Sequence, residues 1–222
     1  TNVIFVRELC LLYAAAIEGR GKMLPAPGLQ YADYAVWEQR RPVADFQAGL
    51  EYWKSALKGM PERLHIPTSR PRPAVQTHAS EECSLTLDQE LTRRLHQLCR
   101  DNEVTLFMAI LALLKVVLHH ASGERDLCIG TPVANRPSEE LSNTFGCFIN
   151  TLAIRSRMPI DCSFSEWLQI VRRGALGAFA HQEIPFDKVV ASICPVRNRG
   201  HHPLFQVMVN MLHWESVPLA LP

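Results

Sequence analysis

The chain has 222 residues, of which 47% are hydrophobic and 20% are charged, and its formal net charge is +1. This composition predicts a globular protein rather than a disordered one, with enough residues for one sizeable core or two small ones. Because acidic and basic residues are interspersed and nearly balanced, the chain has no broad field that would attract nucleic acid or an anionic membrane. Partners of those two kinds are therefore not expected.

The cysteines and the apolar stretches indicate which compartment the protein occupies. There are seven cysteines, an odd number, and no two form a Cys-x-x-Cys pair, so neither a disulfide framework nor a zinc site is predicted. No secretory signal is indicated, because Arg7, Glu8 and Glu18 interrupt the apolar N-terminal stretch. The apolar stretch at residues 106–118 is too short to span a bilayer. We expect a cytoplasmic protein.

The N-terminal part of the chain predicts helices. Val3, Val6, Cys10, Tyr13 and Ile17 recur at helical spacing, and this first helix is predicted to end at the glycine that follows them. They are expected to form its buried face.

A second helical region begins near Tyr31, is interrupted at Pro42, and resumes with an aromatic and aliphatic stripe that stops before Gly59. The stripe is expected to belong to the core rather than to a ligand site. From Gly59 to Ser80 the chain is rich in proline and arginine, which predicts an extended linker.

The second half of the chain alternates strands and helices. Residues 83–87 alternate apolar and polar side chains, as a half-buried strand does. Helices are predicted after the capping residues Asp88, Thr105 and Ser163, the last with Glu166 in capping-box spacing. Further strands are predicted over 126–133, 147–155 and 203–212. This order of elements favours an α/β layered domain.

Four sequence blocks, in this order, resemble the condensation domain of non-ribosomal peptide synthetases. They are YADYAVWEQR (31–40), FGCFINTLAIR (145–155), HQEIPFDKVV (181–190) and RNRGHHPLFQVM (197–208). The resemblance implies a chloramphenicol-acetyltransferase-like fold with two lobes and a tunnel between them. Residues 1–27 would be the last helix of the first lobe, and residues 28–222 would be most of the second lobe.

The resemblance also implies a reaction of secondary-metabolite and antibiotic biosynthesis. Condensation domains form an amide bond between two thioesters, an upstream peptidyl or aminoacyl group and a downstream aminoacyl group. Both are carried on the 4′-phosphopantetheine of carrier proteins, so the expected partners are donor and acceptor carrier domains and the adenylation domain of the same synthetase. The chain itself is expected to bind no cofactor or metal.

The catalytic motif of the family is His-His-x-x-x-Asp-Gly, and it lies immediately before a helix that resembles residues 1–19 of this chain. We therefore expect the catalytic histidine upstream of Thr1 and the end of the domain beyond Pro222. No catalytic residue is assigned within the 222 residues. A chain of this extent is expected to be inactive alone.

The resemblance marks five residues as walls or supports of the tunnel. Arg136 would pair with the Asp of the catalytic motif, or else be a solvated side chain after a turn. Asn150 and Thr151 match the family's Asn-Thr pair, whose amide and hydroxyl could bind a pantetheine arm or the reacting carbonyl, or fix a strand bend. His181 and Gln182 open the third block. A helix-end histidine that bonds a nearby carbonyl is favoured there over a catalytic base.

Other interpretations stay open. The pair His119 and His120 lacks the Asp and Gly of the catalytic motif, and His201 and His202 have no third metal ligand at a recognisable spacing. The third and fourth blocks resemble subtypes that accept a D-configured donor, or dual-function and polyketide-hybrid relatives. An epimerisation domain of the same superfamily, or a lobe that binds carrier proteins without catalysis, is the alternative function.

Overall fold

The computed structural model describes residues 2–21, 24, 28–68, 75, 79–136, 138–194 and 201–212. Part of the predicted linker and the start of the fourth block, at residues 197–200, lie outside the described residues. The elements within them are α1 (Asn2–Ile17), α2 (Tyr31–Arg40), α3 (Val43–Leu57), α4 (Gln89–Asp101), α5 (Leu106–Ser122), β1 (Asp126–Val133), β2 (Asn150–Arg157), α6 (Phe164–Ala180) and α7 (Phe186–Ile193), with a 3-10 turn at Glu139–Leu141. This mixture of helices and strands confirms the α/β class.

The chain divides into two compact units. Unit 1 comprises Thr1–Gln47, Ala134–Asn150 and Leu212–Pro222, and unit 2 comprises Ala48–Val133 and Thr151–Met211. The boundary therefore falls inside α3 and after the first residue of β2. These bounds differ from those of the predicted lobes, 1–27 and 28–222, and the lobe assignment stays a prediction.

Three predicted helix caps are confirmed. The Asp88 carboxylate accepts a hydrogen bond from the backbone N–H of Leu91 at 2.7 Å, and the Thr105 hydroxyl accepts one from Met108 at 3.3 Å. Ser163 begins α6 with the predicted capping box, in which the Glu166 carboxylate accepts from the Ser163 N–H. Each cap satisfies a backbone donor that the first helical turn leaves open. These helix starts follow from local sequence alone.

Helices α5 and α6 form the centre of unit 2. The Trp167 side chain is only 1% exposed, and its indole N–H donates to the carbonyl of Ala112 at 3.1 Å, which ties α6 to α5. On both helices the buried side chains follow the three- and four-residue spacing of one helical face. They are Met108, Ala109, Leu111, Ala112, Lys115 and Leu118 on α5, and Trp167, Leu168, Val171, Ala175 and Ala178 on α6.

Two ionisable groups of unit 2 contact β2, one of them buried and the other half-buried. The fully buried Lys115 donates from Nζ to the carbonyl of Ile154 at 2.9 Å and to the Ser156 hydroxyl at 2.8 Å. Burial lowers the pKa of Lys115 to about 7. Partial burial raises the pKa of Asp126, but hydrogen bonds from Arg155 and Arg157 outweigh it and hold that pKa below its ordinary value. The charges are therefore compensated differently, by neutral acceptors for Lys115 and by guanidinium groups for Asp126.

Strand β1 has the predicted bounds and pairs with β2. The N–H of Met158 donates to the carbonyl of Arg125 at 2.8 Å, so the end of β2 lies beside the beginning of β1 and the pair is antiparallel. Strand β2 begins at Asn150, three residues later than predicted, because residues 145–149 make no strand ladder.

The predicted last strand is wrong. Within 203–212 the structure has an isolated parallel bridge between Met208 and Gly130, with hydrogen bonds of 3.0 and 2.9 Å on either side of it. The Phe205 ring occupies the space where a side chain at position 130 would be, 2.3 Å from the site of an added Cβ. The chain thus approaches β1 at one glycine instead of running along it.

Residues 83–87 form neither helix nor strand, so the predicted half-buried strand is also wrong. The Leu85 side chain is 85% exposed and Leu87 is 44% exposed. Alternating apolar residues become a strand only beside a partner strand, and the described part of the chain pairs none with this segment.

The predicted buried face of α1 is wrong as well. Val3, Tyr13 and Ile17 are about half exposed, whereas Ile4 and Ala15 are buried. Apolar residues occur all round this helix, so their spacing could not single out one face. Among the described residues, no single helix is long and apolar enough to cross a bilayer; α4 and α5 reach that length together only across a bend of 103°.

Candidate functional site

A cavity of about 570 Å³ in unit 1 contains the best placed of the candidate residues, Arg136. Most of its wall comes from the second block. The residues that line it are Val3, Ala134, Arg136, Phe145, Gly146, Cys147, Phe148 and Ile149. We call it the Arg136 cavity.

The Arg136 side chain is held in place by protein contacts. Its guanidinium carbon lies 4.3 Å from the centre of the Phe148 ring, within the range of a cation–π interaction. Its Nη1 donates to the carbonyl of Leu141 and, at 3.0 Å, to that of Thr144. The side chain is half-buried and has defined partners, so its orientation does not depend on solvent. Its ion pair with the Asp of the catalytic motif stays a prediction.

The first and second sequence blocks pack on each other beneath this cavity. The Phe148 ring lies 4.8 Å from the ring of Tyr34 and 5.1 Å from that of Tyr31. The Tyr31 hydroxyl donates to the carbonyl of Cys147 at 2.9 Å. Residue 146 must be glycine for this packing, since an added Cβ would lie 2.3 Å from the Tyr31 ring. Two blocks that are far apart in sequence thus form one wall.

Tyr34 is the buried centre of that packing. Burial, followed by the charge of Glu38 and a hydrogen bond to it at 3.1 Å, raises the pKa of Tyr34 to about 12. The phenol therefore stays protonated at neutral pH and donates to the Glu38 carboxylate. It fixes the wall and is not a base.

The second block alternates between two faces. Phe145, Cys147 and Ile149 are exposed, while Phe148 and Asn150 are buried. Such a period of two is typical of extended backbone. The exposed set lines the Arg136 cavity. Sequence reasoning missed these three residues, because apolar side chains occur on both faces of FGCFIN and leave no readable alternation.

Asn150 and Thr151 lie where the second block enters β2. Asn150 is the first residue of the strand and is 8% exposed, whereas Thr151 is half-buried and is the first residue of that segment of unit 2. A buried amide at a strand start fits both predicted roles, fixing the strand and presenting a polar group. Their contact with substrate stays a prediction.

His181 and Gln182 belong to unit 2. The His181 Nδ1 lies 2.8 Å from the carbonyl of Gly177, one turn earlier in α6. Its ring stacks on Tyr52 with the centres 3.8 Å apart and the planes 5° apart. The carbonyl of His181 accepts from the Trp53 indole N–H at 3.2 Å. These contacts are those expected of a helix-end histidine with a packing role. Gln182 is half-buried beside it.

The histidine pairs at 119–120 and 201–202 also include rings that contact neighbouring groups. The His119 Nδ1 lies 2.9 Å from the carbonyl of Glu124. The His202 ring stacks on Phe205 at 4.1 Å, and burial, followed by the charge of His201, lowers the pKa of His202. In the described part of the chain, no group of three or more His, Cys, Asp or Glu side chains is arranged to hold a metal ion.

Known proteins resemble this chain in sequence and in fold. Malpinin synthetase of Mortierella alpina is 41% identical over 220 residues, which are 99% of this chain and 3% of that protein. The chain thus spans a small part of its relative. Among solved structures, holo-AB3403, a four-domain non-ribosomal peptide synthetase bound to AMP and glycine, is 30% identical with a TM-score of 0.85, over 97% of this chain and 16% of that one.

The X-domain in its complex with OxyB from teicoplanin biosynthesis is 26% identical with a TM-score of 0.84, over 92% of this chain and 46% of that one. These likenesses confirm the predicted chloramphenicol-acetyltransferase-like fold. The model of the condensation domain matches residues 2–217. Since this match covers nearly all of the sequence, the chain belongs to the condensation-domain family of non-ribosomal peptide synthetases.

Proposed function

We propose that this chain is part of a condensation domain that joins an upstream peptidyl or aminoacyl thioester to a downstream aminoacyl thioester. The observation that supports this most is the family match over residues 2–217 together with a preformed cavity walled by the second block. Both substrates would arrive on 4′-phosphopantetheine arms of a donor and an acceptor carrier domain, next to an adenylation domain.

The reaction forms one C–N bond and breaks one C–S bond. The amine nitrogen attacks the thioester carbonyl carbon, the sulfur leaves as a thiolate, and the proton lost by the amine balances that charge. A positioned base near neutral pH would take this proton. The His-His-x-x-x-Asp-Gly motif that supplies it in this family does not occur among the 222 residues. We therefore propose that the chain alone does not catalyse condensation.

The residues of this chain would position the reactants and exclude water. Phe145 and Ile149 are 58% and 65% exposed, so the cavity presents an apolar wall to a substrate. Holding both reactants in place can be worth as much as about 7–11 kcal/mol of the barrier. Arg136, fixed on Phe148, would pair with the Asp of the motif and orient the catalytic loop. Asn150 and Thr151 would form hydrogen bonds with the pantetheine arm or with the reacting carbonyl.

His181 and Gln182 would act indirectly, by supporting the packing of the lobe. Because His181 is stacked on Tyr52 and bonded to the Gly177 carbonyl, its substitution would disturb the end of α6 rather than a proton transfer. We propose that both residues support the lobe and touch no reacting atom.

Two alternatives rest on the same fold. An epimerisation domain would use the same walls, but it would exchange a Cα proton and form no amide bond. A lobe that only binds other proteins is favoured by the X-domain, whose structure contains OxyB as its partner. That lobe would hold carrier domains without turning over their substrates.

A chimera tests these functions. Residues 2–217 would replace the matching segment in the excised condensation domain of malpinin synthetase, with loaded donor and acceptor carrier proteins as substrates. We expect an amide product from the chimera and none from the 222-residue chain alone. A folded chimera that only changes the stereochemistry of the donor would overturn the proposal in favour of epimerisation. Carrier binding with neither product would favour the binding lobe.

A further inference from the structure

A second cavity of unit 1 lies beside α2 and has no role in the proposed reaction. Its volume is about 420 Å³, within the range of small-ligand pockets, roughly 300–1,000 Å³. It is lined mainly by two leucines, two aromatic residues and two carboxylates, which are Leu29, Leu141, Tyr34, Trp37, Asp33 and Glu140. We call it the α2 cavity. All of the lining residues lie in one unit, so its shape is local.

The aromatic wall of the α2 cavity is preformed. Tyr34 is held from behind by the Phe148 ring, with centres 4.8 Å apart, and by its hydrogen bond to Glu38. Trp37, one helical turn further on, is 50% exposed although its ring is large and lies 5.6 Å from that of Tyr34. A rigid helix thus presents an open indole face next to a buried phenol. Such surfaces hold apolar and aromatic groups without a cost in side-chain ordering.

The charge of the cavity has one sign. The two residues of the lining that carry a charge at neutral pH, Asp33 and Glu140, are acidic, and none of the lining residues is basic. The Asp33 carboxylate is oriented by the Gln30 N–H, which donates to its Oδ2 at 2.9 Å. Two exposed carboxylates beside an open apolar wall, one of them oriented by the backbone, favour a positive group and repel an anion.

An internal contact shows that the indole accepts a cation. The guanidinium carbon of Arg41 lies 5.3 Å from the centre of the Trp37 ring, within the cation–π range of about 6 Å. Arg41 is not one of the residues that line the cavity. The α2 cavity therefore offers the same indole ring to a cation, and none of its lining residues supplies that cation.

We propose that the α2 cavity binds an organic cation, an ammonium or guanidinium group on an apolar or aromatic stem. The stem lies against Trp37 and Leu141, and the charged end lies near the carboxylates of Asp33 and Glu140. The cation is either a free amine or the basic side chain of a partner protein. This site is independent of the condensation reaction.

The test measures binding to the whole chain by NMR, at the indole N–H of Trp37, assigned by its loss in Trp37→Phe. The probes are phenethylamine, its uncharged analogue phenethyl alcohol, and the short peptide acetyl-Phe-Arg-amide. We expect the amine to bind at least about fivefold more tightly than the alcohol, since exposed carboxylates and an indole face each favour the charge. Added salt should weaken the amine alone.

Glu140→Gln should weaken the amine about two- to fivefold and leave the alcohol unchanged. The matched control is Glu139→Gln, which removes the neighbouring exposed carboxylate that does not line the cavity and should change neither. Tighter binding of the peptide than of the amine assigns the site to a protein side chain, and the reverse order assigns it to a free amine. Equal binding of amine and alcohol, equal effects of the two glutamine variants, or no response at Trp37 overturns the proposal.

Discussion

Helices α1 and α5 are both apolar and nearly equal in length, 16 and 17 residues, yet their side chains are buried to different extents. Helix α5 packs against α4, α6 and β1, and six of its residues between Met108 and Leu118 are buried. In α1 the side chains of Phe5, Leu9 and Leu11 are about half exposed. Apolar composition therefore supplies only the capacity for burial, and neighbouring elements decide how much apolar surface is actually buried.

The difference has an energetic consequence. Fully burying a leucine or a comparable side chain stabilises the folded state by about 1.5–3 kcal/mol, so the side chains of α5 and α6 should dominate the free energy of unfolding. The exposed side chains of α1 should contribute little. Substitutions in the two regions test this difference.

The largest effect is expected at Trp167. Replacing it with alanine leaves a cavity between α6 and α5 and removes the hydrogen bond to the Ala112 carbonyl, at a cost of about 3–5 kcal/mol. The matched control is Trp37→Ala, where the ring is 50% exposed and the cost should be about 1 kcal/mol or less. Urea unfolding followed by circular dichroism measures both. Similar losses for the two tryptophans would refute the contrast.

A pH effect is expected from Lys115 in the same core. Its pKa is lowered from 10.5 in the unfolded chain to about 7 by burial, so between these values the unfolded state binds more protons and stability rises with pH. From pH 7 to 8.5 the wild type should gain about 1 kcal/mol or more relative to Lys115→Met. That window lies below the ordinary thiol pKa of 9.0.

The control for Lys115 is Lys54→Met, whose amine is 44% exposed and pairs with Glu51. This variant should keep the pH dependence of the wild type. If Lys115→Met keeps it too, the buried amine is charged throughout the window and its two acceptors compensate it fully.

A second electrostatic effect, of similar size, is expected where Asp126 joins β1 to β2. Asp126→Asn leaves Arg155, whose side chain is 12% exposed, without its carboxylate, at a cost of about 1–3 kcal/mol at neutral pH. Because the pKa of Asp126 is lowered, the stabilisation is present at neutral pH and is lost as the pH falls through that lowered value. Arg157→Ala, at a side chain 72% exposed, should cost about 0.5 kcal/mol or less. Thermal unfolding at pH 7 and pH 3 separates the two variants.

The smallest effect is expected in α1. Leu9→Ala removes a side chain that is 46% exposed, and it should change the free energy of unfolding by about 0.5 kcal/mol or less. Leu111→Ala, at a fully buried position of α5, should cost about 2–5 kcal/mol. If the two leucines cost the same, α1 is buried in solution and the contrast fails.

The same contrast explains which parts of the fold the sequence could predict. The caps at Asp88, Thr105 and Ser163 were predicted correctly, because a cap is formed by atoms within one helical turn. The bounds of β1 were also predicted correctly. The strands at 83–87 and 203–212 and the buried face of α1 were not. Each of these depends on a partner element that no local pattern identifies.

The candidate site, too, could be predicted only in part from the sequence. The resemblance identified Arg136 and the second block, but not that Arg136 lies on Phe148 or that Tyr31 requires glycine at position 146. Those contacts join positions more than a hundred residues apart or depend on side-chain rotamers. Cys147 could not be singled out either, since apolar residues occur on both faces of FGCFIN.

We propose that the residues lining the Arg136 cavity form part of the wall of the condensation tunnel, and a bulky side chain at Cys147 should then obstruct the tunnel. Cys147 and Cys83 are both exposed, but only Cys147 is among the residues that line this cavity. Amide formation would be measured in the chimera with malpinin synthetase carrying either Cys147→Trp or Cys83→Trp. We expect the first variant to lose tenfold or more of the rate, which corresponds to about 1.4 kcal/mol of barrier per factor of ten, while the second matches the parent chimera. Equal rates for both folded variants would contradict it.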